Sequence, residues 1–284
     1  MQGDQQRQRA YRAGASMARE RLRREAPEDA AALDEVTASD IVVVRGCYDH
    51  VEQVLGALDM PHTAIYDHQL ARVELRPEQL LVVNCPGTVG RHQVGKIRDF
   101  VAAGGSLFTT DWALKHVVEP CFPGVLSYNQ RPTADDVVRI EITDNDNPFL
   151  KGVMDGADDP QWWLEASSYP IKVEDTERVK VLIKSRDLGD RYGESPVAVL
   201  FEHGEGEVFH MISHYYLQRT EFRTARHREA ASSYWNEKGM PVPADISLDN
   251  LSVGDVEAAQ SSSRLFSNVI AQKKRKEAKG KDSK

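Results

Sequence analysis

Residues 97–114, "IRDFVAAGGSLFTTDWAL", decide how this chain folds. Val94, Ile97, Phe100 and Val101 recur at helical spacing, so residues 91–105 predict a helix with one apolar face. Gly104 and Gly105 end it, because glycine accepts the left-handed backbone of a helix C-terminus. "SLFTTDW" then predicts a buried strand that stops at a polar and aromatic pair, Asp111 and Trp112. In many α/β enzymes the reactive side chain sits at such a strand-to-helix junction, so the identity of residue 111 bears on function.

Working outward, the same alternation recurs. "DIVVVRG" at 40–46 is a continuous apolar run, as in a strand buried on both faces of a parallel sheet. Val51, Val54, Leu55 and Leu58 predict a helix over 49–60 that Pro61 stops. "HTAIYDH" at 62–68 and Leu80–Val83 predict two further strands. Three strand–helix units predict a doubly wound, mostly parallel sheet with right-handed crossovers and strand order 2-1-3-4. The second half changes character. "DDVVRIEITD" (135–144), "VKVLIKS" (179–185) and 195–217 read as strands, the last folded into a hairpin at Gly204 and Gly206. Residues 220–238 and 256–276 read as helices.

Four units are expected: a helical N-terminal extension (1–37), an α/β domain (38–220), a C-terminal helical extension (221–272) and a disordered basic tail (273–284). Net charge is −8 over 284 residues, unevenly spread. Residues 1–25 carry seven arginines against three acids, and 273–284 carry seven basic residues against two. The body is therefore strongly acidic, which argues against a dedicated nucleic-acid-binding domain and leaves only the basic tail for such contact. No apolar run approaches the ~20 residues that span a bilayer, and residues 1–25 lack the apolar stretch of a secretory signal. Three cysteines at unpatterned spacing fit a reducing compartment, and a cytoplasmic location is expected.

In their order, "DIVVVRG", "LLVVNCPG", "IRDFVAAGGSLFTTDWAL", "NPFLKGV" and "PVAVLFEHGEGEVFHMISHYYLQ" resemble the class I glutamine amidotransferase-like superfamily, in its divergent branch related to trehalose-utilisation proteins. The resemblance covers roughly residues 38–220. It implies a flavodoxin-like sheet with an added β-hairpin. It also implies a nucleophilic cysteine in a G-x-C-x-G elbow, a histidine, and an acid two residues after it. Here the elbow reads Thr109, Thr110, Asp111, Trp112, Ala113; the histidine matches His214, and Tyr216 stands where the acid belongs. Without a thiol at the elbow, glutamine hydrolysis through a thioester has no nucleophile.

The expectation is therefore a non-catalytic amidotransferase-like protein, a pseudoenzyme that acts by protein binding as a component of a larger complex, or that binds a small ligand at the carboxyl ends of the strands. The alternative is a hydrolase or lyase using Asp111, His214 and Cys85 in a remodelled site. Pocket candidates are Cys47, Asp49, His50, Cys85, Gly87, Asp111, Trp112 and His214; Trp162 and Trp163 are candidates for an interaction surface. Asp111 also reads locally as a helix N-cap. No CxxC or HExxH spacing is present, so neither metal nor cofactor is expected. His62, His68, His92, His116, His203, His210 and His227 default to surface or loop roles.

Overall fold

The computed structural model describes residues 2–214 and 224–282. In chain order the first half comprises α1 (Gln2–Glu25), α2 (Pro27–Asp34), β1 (Ile41–Val44), α3 (Val51–Ala57), β2 (Thr63–Ile65), β3 (Leu80–Val83), α4 (Arg91–Ala102) and β4 (Ser106–Thr110). A wide helical turn, Leu114–Val118, then leads into α5 (Glu119–Cys121). A lobe of short strands follows: β5 (Leu126–Tyr128), β6 (Asp136–Arg139), β7 (Glu141–Ile142), β8 (Gln161–Leu164) and β9 (Ile171–Val173). The chain returns through β10 (Lys180–Lys184), α6 (Arg186–Tyr192), β11 (Pro196–His203) and β12 (Gly206–Met211), and finishes with α7 (Ala231–Glu237) and α8 (Val253–Asp282).

Eight strands form one sheet in the order β2-β1-β3-β4-β12-β11-β10-β7. The β2-β1-β3-β4 order is the one expected from the sequence, and β12 continues it in parallel beside β4. The remaining pairings, through the hairpin and β10 to β7, are antiparallel. The IVVV of β1 and the LLVV of β3 pair in register from Ile41↔Leu80 to Val44↔Val83, and every side chain in both is buried. The hairpin turn is tied to α4: a Cβ on Gly206 would stand 2.1 Å from the Val101 carbonyl oxygen, so only glycine fits.

Several expectations need correction. The terminal helices are part of the core and not extensions around it. Phe266 of α8 packs edge-on against Phe108 of β4, with ring centroids 5.0 Å apart. α1 lies directly on α8, where a Cβ on Gly14 would meet Ala259 at 2.6 Å. Ala10, Ala13, Ala15, Met17 and Ala18 of α1 are buried. Small residues on facing ridges let two helix backbones approach closely.

Residues 273–282, expected to be a disordered tail, continue α8. Buried Lys273 donates to the carbonyls of Pro77 (2.6 Å) and Gly104 (2.8 Å), Lys274 pairs with Asp40, and Arg275 pairs with Glu28 and Asp29. These cations hold the helix against the body. α6 has no counterpart among the expected elements; Ser185 caps it by accepting from the Leu188 N–H, and Gly193 ends it at φ +90°. The expected helix over 220–238 is reduced to the Arg226–Arg228 turn and α7 within the described residues, and its first part lies outside them.

A buried ion-pair network ties these helices together. Arg226 reaches Glu257 (2.6 Å), Glu237 (2.7 Å) and Asp158 (3.5 Å). Lys238 reaches Asp155 and Asp158, both at 2.8 Å. Arg21 joins Asp155 to Glu25, which also takes Arg264. Among the described residues no helix is long and apolar enough to cross a membrane.

Candidate functional site

The site is built where β3, β4 and β12 end. β4 stops at Thr110, and Asp111 follows in the left-handed region at φ +46°. A non-glycine residue there costs on the order of 1–2 kcal/mol, so surrounding contacts must hold it. They do: the Asp111 N–H donates to the Met211 carbonyl (2.8 Å) and its own carbonyl accepts from Leu114 N–H (2.9 Å). Beneath the elbow Gly87, at φ +71°, lies so close to Ala113 that a Cβ would stand 2.7 Å away. Close approach under the elbow is thus kept by Gly87 on the neighbouring loop, although the elbow itself lacks glycine.

The Asp111 carboxylate is buried and fully engaged. Oδ1 accepts from the Tyr169 N–H (2.9 Å), and Oδ2 accepts from the Ser168 hydroxyl (3.2 Å). His214 Nε2 lies 3.0 Å from the same Oδ2, and the Cys85 thiol points at it from 3.9 Å. On the far side of the ring His214 Nδ1 meets Glu165 Oε2 at 2.6 Å. The imidazole is therefore held between two carboxylates, Asp111 from the end of β4 and Glu165 from the loop after β8. Asp111 does not cap the following helical turn: the cap position is Ala113, with no side-chain bond. The N-cap reading fails because the carboxylate turns inward to His214.

Electrostatics follow from that arrangement. Burial alone would lower the His214 pKa, but the bonds to Asp111, Cys85 and Glu165 outweigh it and raise the value far above that of free histidine. The ring is an imidazolium at neutral pH. Burial pushes the Asp111 carboxyl above the usual aspartate range, and the His214 contact pulls it back. Burial likewise pushes the Cys85 thiol up to about 11, with His214 opposing and the Asp111 charge adding to it. At neutral pH Cys85 is thus a thiol and not a thiolate.

An aromatic roof crosses the site. Tyr48 meets Trp112 edge-on at 5.3 Å, Trp112 stacks on Tyr169 at 5.4 Å, and Tyr169 stacks on Tyr128 at 3.9 Å. The Trp112 indole N–H donates to the Ser167 carbonyl (2.6 Å) and so fastens the roof to the Glu165–Tyr169 loop. Tyr48 is 54% exposed, which leaves the outer end of this row open to solvent.

Of the sequence candidates, the structure brings together Cys85, Asp111 and His214, with Gly87 beneath and Trp112 above. Asp49 is buried beside them: its Oδ1 accepts from the His50 N–H (2.8 Å), and its charge helps raise the His214 pKa. Cys47 is exposed; its N–H donates to the Cys85 carbonyl (3.1 Å). His50 turns to Glu52, 3.6 Å away, and is not part of the cluster. Trp162 is fully buried and donates to Ser261 of α8, so it is core and not an interaction surface; Trp163 is half-buried and bonded to Asp135. His210 and His227 are buried as well, contrary to the surface default. Position 216, where the family pattern places the acid, lies outside the described residues.

Glu165, Ser168 and Tyr169 are site residues that sequence reasoning does not reach. Their trace in the sequence is the polar run "EASSY" directly after an apolar strand, which marks a strand end without saying which other strand it faces. One atom each of Cys85, Asp111 and His214 lie within 4.8 Å of one another, a donor set that can hold a metal ion.

No family model matches the chain, and no curated protein matches it. Solved structures do. A protein of Thermoplasma acidophilum named for the GMP synthase glutaminase component is 11% identical, with a TM-score of 0.50 over 87% of this chain and 98% of that one. A glutamine amidotransferase from Thermotoga maritima is 8% identical, with a TM-score of 0.47 over 84% of this chain and 98% of that one. The GH42 β-galactosidase of G. stearothermophilus is 14% identical with a TM-score of 0.42; this chain is covered over 71% and spans only 30% of that enzyme. At these identities the likeness is one of fold: the chain has the α/β architecture of glutamine amidotransferase-like proteins.

Proposed function

We propose that the chain is a non-catalytic amidotransferase-like domain that binds a protein partner through the aromatic roof at the carboxyl ends of its strands. One observation carries this reading: the residue in the nucleophile's place, Asp111, is buried and has its acceptor positions taken by Tyr169, Ser168 and His214. A carboxylate so engaged is a poor nucleophile, and an imidazolium between two carboxylates has no free nitrogen to take a proton as a general base. The thiol beside them stays protonated at neutral pH. The roof supports a binding role, since exposed aromatic groups anchor interfaces. Three free cysteines support a reducing, cytoplasmic setting.

The test has two arms. Purified protein incubated with glutamine should release no ammonia and show no mass increase of the intact chain. Affinity purification from the native host should recover a stoichiometric companion that Trp112→Ala loses while the fold survives. Turnover, or a covalent adduct on Asp111 or Cys85, overturns the reading.

A second reading rests on a specific observation, the consecutive Asp111–His214–Glu165 contacts at an elbow of positive φ. In it Asp111 attacks a substrate, and His214, after passing its proton to the leaving group, activates water to hydrolyse the resulting ester. Turnover in ¹⁸O-labelled water, with the label appearing in the Asp111 carboxylate, identifies that route.

A further inference from the structure

We propose that Cys85, Asp111 and His214 form a binding site for a zinc-class divalent ion. The donors are one thiolate sulfur, one imidazole nitrogen and one carboxylate oxygen, the mixed soft and borderline set that selects zinc over magnesium or calcium. Their spacing fits. A tetrahedral ion with bonds of about 2.0–2.3 Å places its ligands roughly 3.3–3.5 Å apart. The structure has His214 Nε2 to Asp111 Oδ2 at 3.0 Å and Cys85 Sγ to the same oxygen at 3.9 Å. Shifts of a few tenths of an ångström complete the geometry.

The surroundings are those of a metal site. A ligating histidine commonly donates its other ring nitrogen to a carboxylate, which fixes the tautomer and aims the ligating nitrogen. Glu165 Oε2 stands 2.6 Å from His214 Nδ1 and does this. The second carboxylate oxygen of Asp111 is held by the Tyr169 N–H, and Ser168 steadies Oδ2. The three donors come from the ends of three adjacent strands, which is why no local spacing in the sequence announces them.

Binding exchanges protons for the ion. The Cys85 S–H and the His214 Nε2–H each release a proton to solvent as the Zn–S and Zn–N bonds form, while Asp111 contributes its existing charge. Three protein donors leave a fourth, exchangeable position for water or for a donor from a bound ligand.

The experiment is titration of the full chain with Zn²⁺ in competition with a chromophoric chelator, and with Co²⁺ for its spectrum. The expected result is one ion per chain and, with Co²⁺, a thiolate charge-transfer band. Cys85→Ser should abolish that band, and Cys47→Ser should leave it and the affinity unchanged. Glu165→Gln, which keeps the packing, should weaken binding about 10–100-fold. Absence of a one-to-one complex, a band that persists in Cys85→Ser, or unchanged affinity in Glu165→Gln overturns the proposal. It stands apart from the non-catalytic reading: a metal-loaded chain without turnover leaves both intact, whereas turnover only in the loaded chain removes that reading and keeps the site.

Discussion

Two clusters of buried charge occupy this molecule, and they are built on opposite plans. The network between α1, α7 and α8 is redundant: Asp158 takes both Arg226 and Lys238, Asp155 takes both Lys238 and Arg21, and Glu25 takes both Arg21 and Arg264. The cluster at the end of β4 has one cation, His214, serving two carboxylates, and it hangs from a residue at φ +46°. Burial of charge is therefore ordinary architecture where partners are plentiful. The elbow, with one cation and a strained backbone, is the place where the fold has kept something at its own expense.

That contrast can be broken or sharpened by experiment. The largest effect is expected at the elbow. His214→Ala leaves Asp111 buried without its cation, and on the order of 3–5 kcal/mol of stability should be lost in denaturant unfolding. A loss below about 1 kcal/mol would place the two clusters on the same footing.

Next comes pH. The folded His214 pKa is raised above the unfolded value of 6.5, so the stabilisation is complete below pH 6.5 and drains away as pH rises toward the folded value. One proton gives a slope of about 1.4 kcal/mol per pH unit, or roughly 2–3 kcal/mol between pH 7 and 9. Cys85 begins to contribute only above the ordinary thiol value of 9.0. In His214→Gln the curve over that window should be flat; an unchanged slope would assign the effect elsewhere.

In the network, Lys238→Met should cost about 1–2 kcal/mol, because Asp158 retains Arg226 and Asp155 retains Arg21. Pairing it with Arg21→Met should then exceed the sum of the single losses, since Asp155 loses both its cations. Urea denaturation of the two single variants and the double variant closes that cycle. At the solvent-facing end of α8, Arg275→Ala should cost under about 1 kcal/mol in the same measurement, as partly exposed ion pairs do.

The same contrast explains what the sequence discloses. β1 and β3 are legible because four consecutive apolar residues have few alternatives to a doubly buried strand, and Gly104 with Gly105 marks the end of α4. α1 reads as a peripheral extension because its buried face is made of alanines and Gly14 among arginines, a pattern that looks polar until α8 is brought against it. The 273–282 segment reads as a solvated run because nothing local shows that Lys273 reaches the Pro77 and Gly104 carbonyls. Asp111 and His214 are legible as the matching elbow and histidine. Glu165 is not: the family pattern places the acid beside His214 in sequence, whereas the carboxylate on His214 Nδ1 comes from a lobe inserted between β4 and β10. Sequence proximity finds partners on one strand; a triad shared between a strand end and an insertion needs the fold.

The pairing of α1 with α8 has a consequence for biosynthesis. α1 leaves the ribosome first, yet the surface that receives it is translated more than two hundred residues later. Until then the nascent helix has no docking place, and the sheet face that Phe266 will cover stays wet. Closure of this protein is thus a late event that joins the beginning of translation to its end, and the interval between them is when a chaperone would have most to hold.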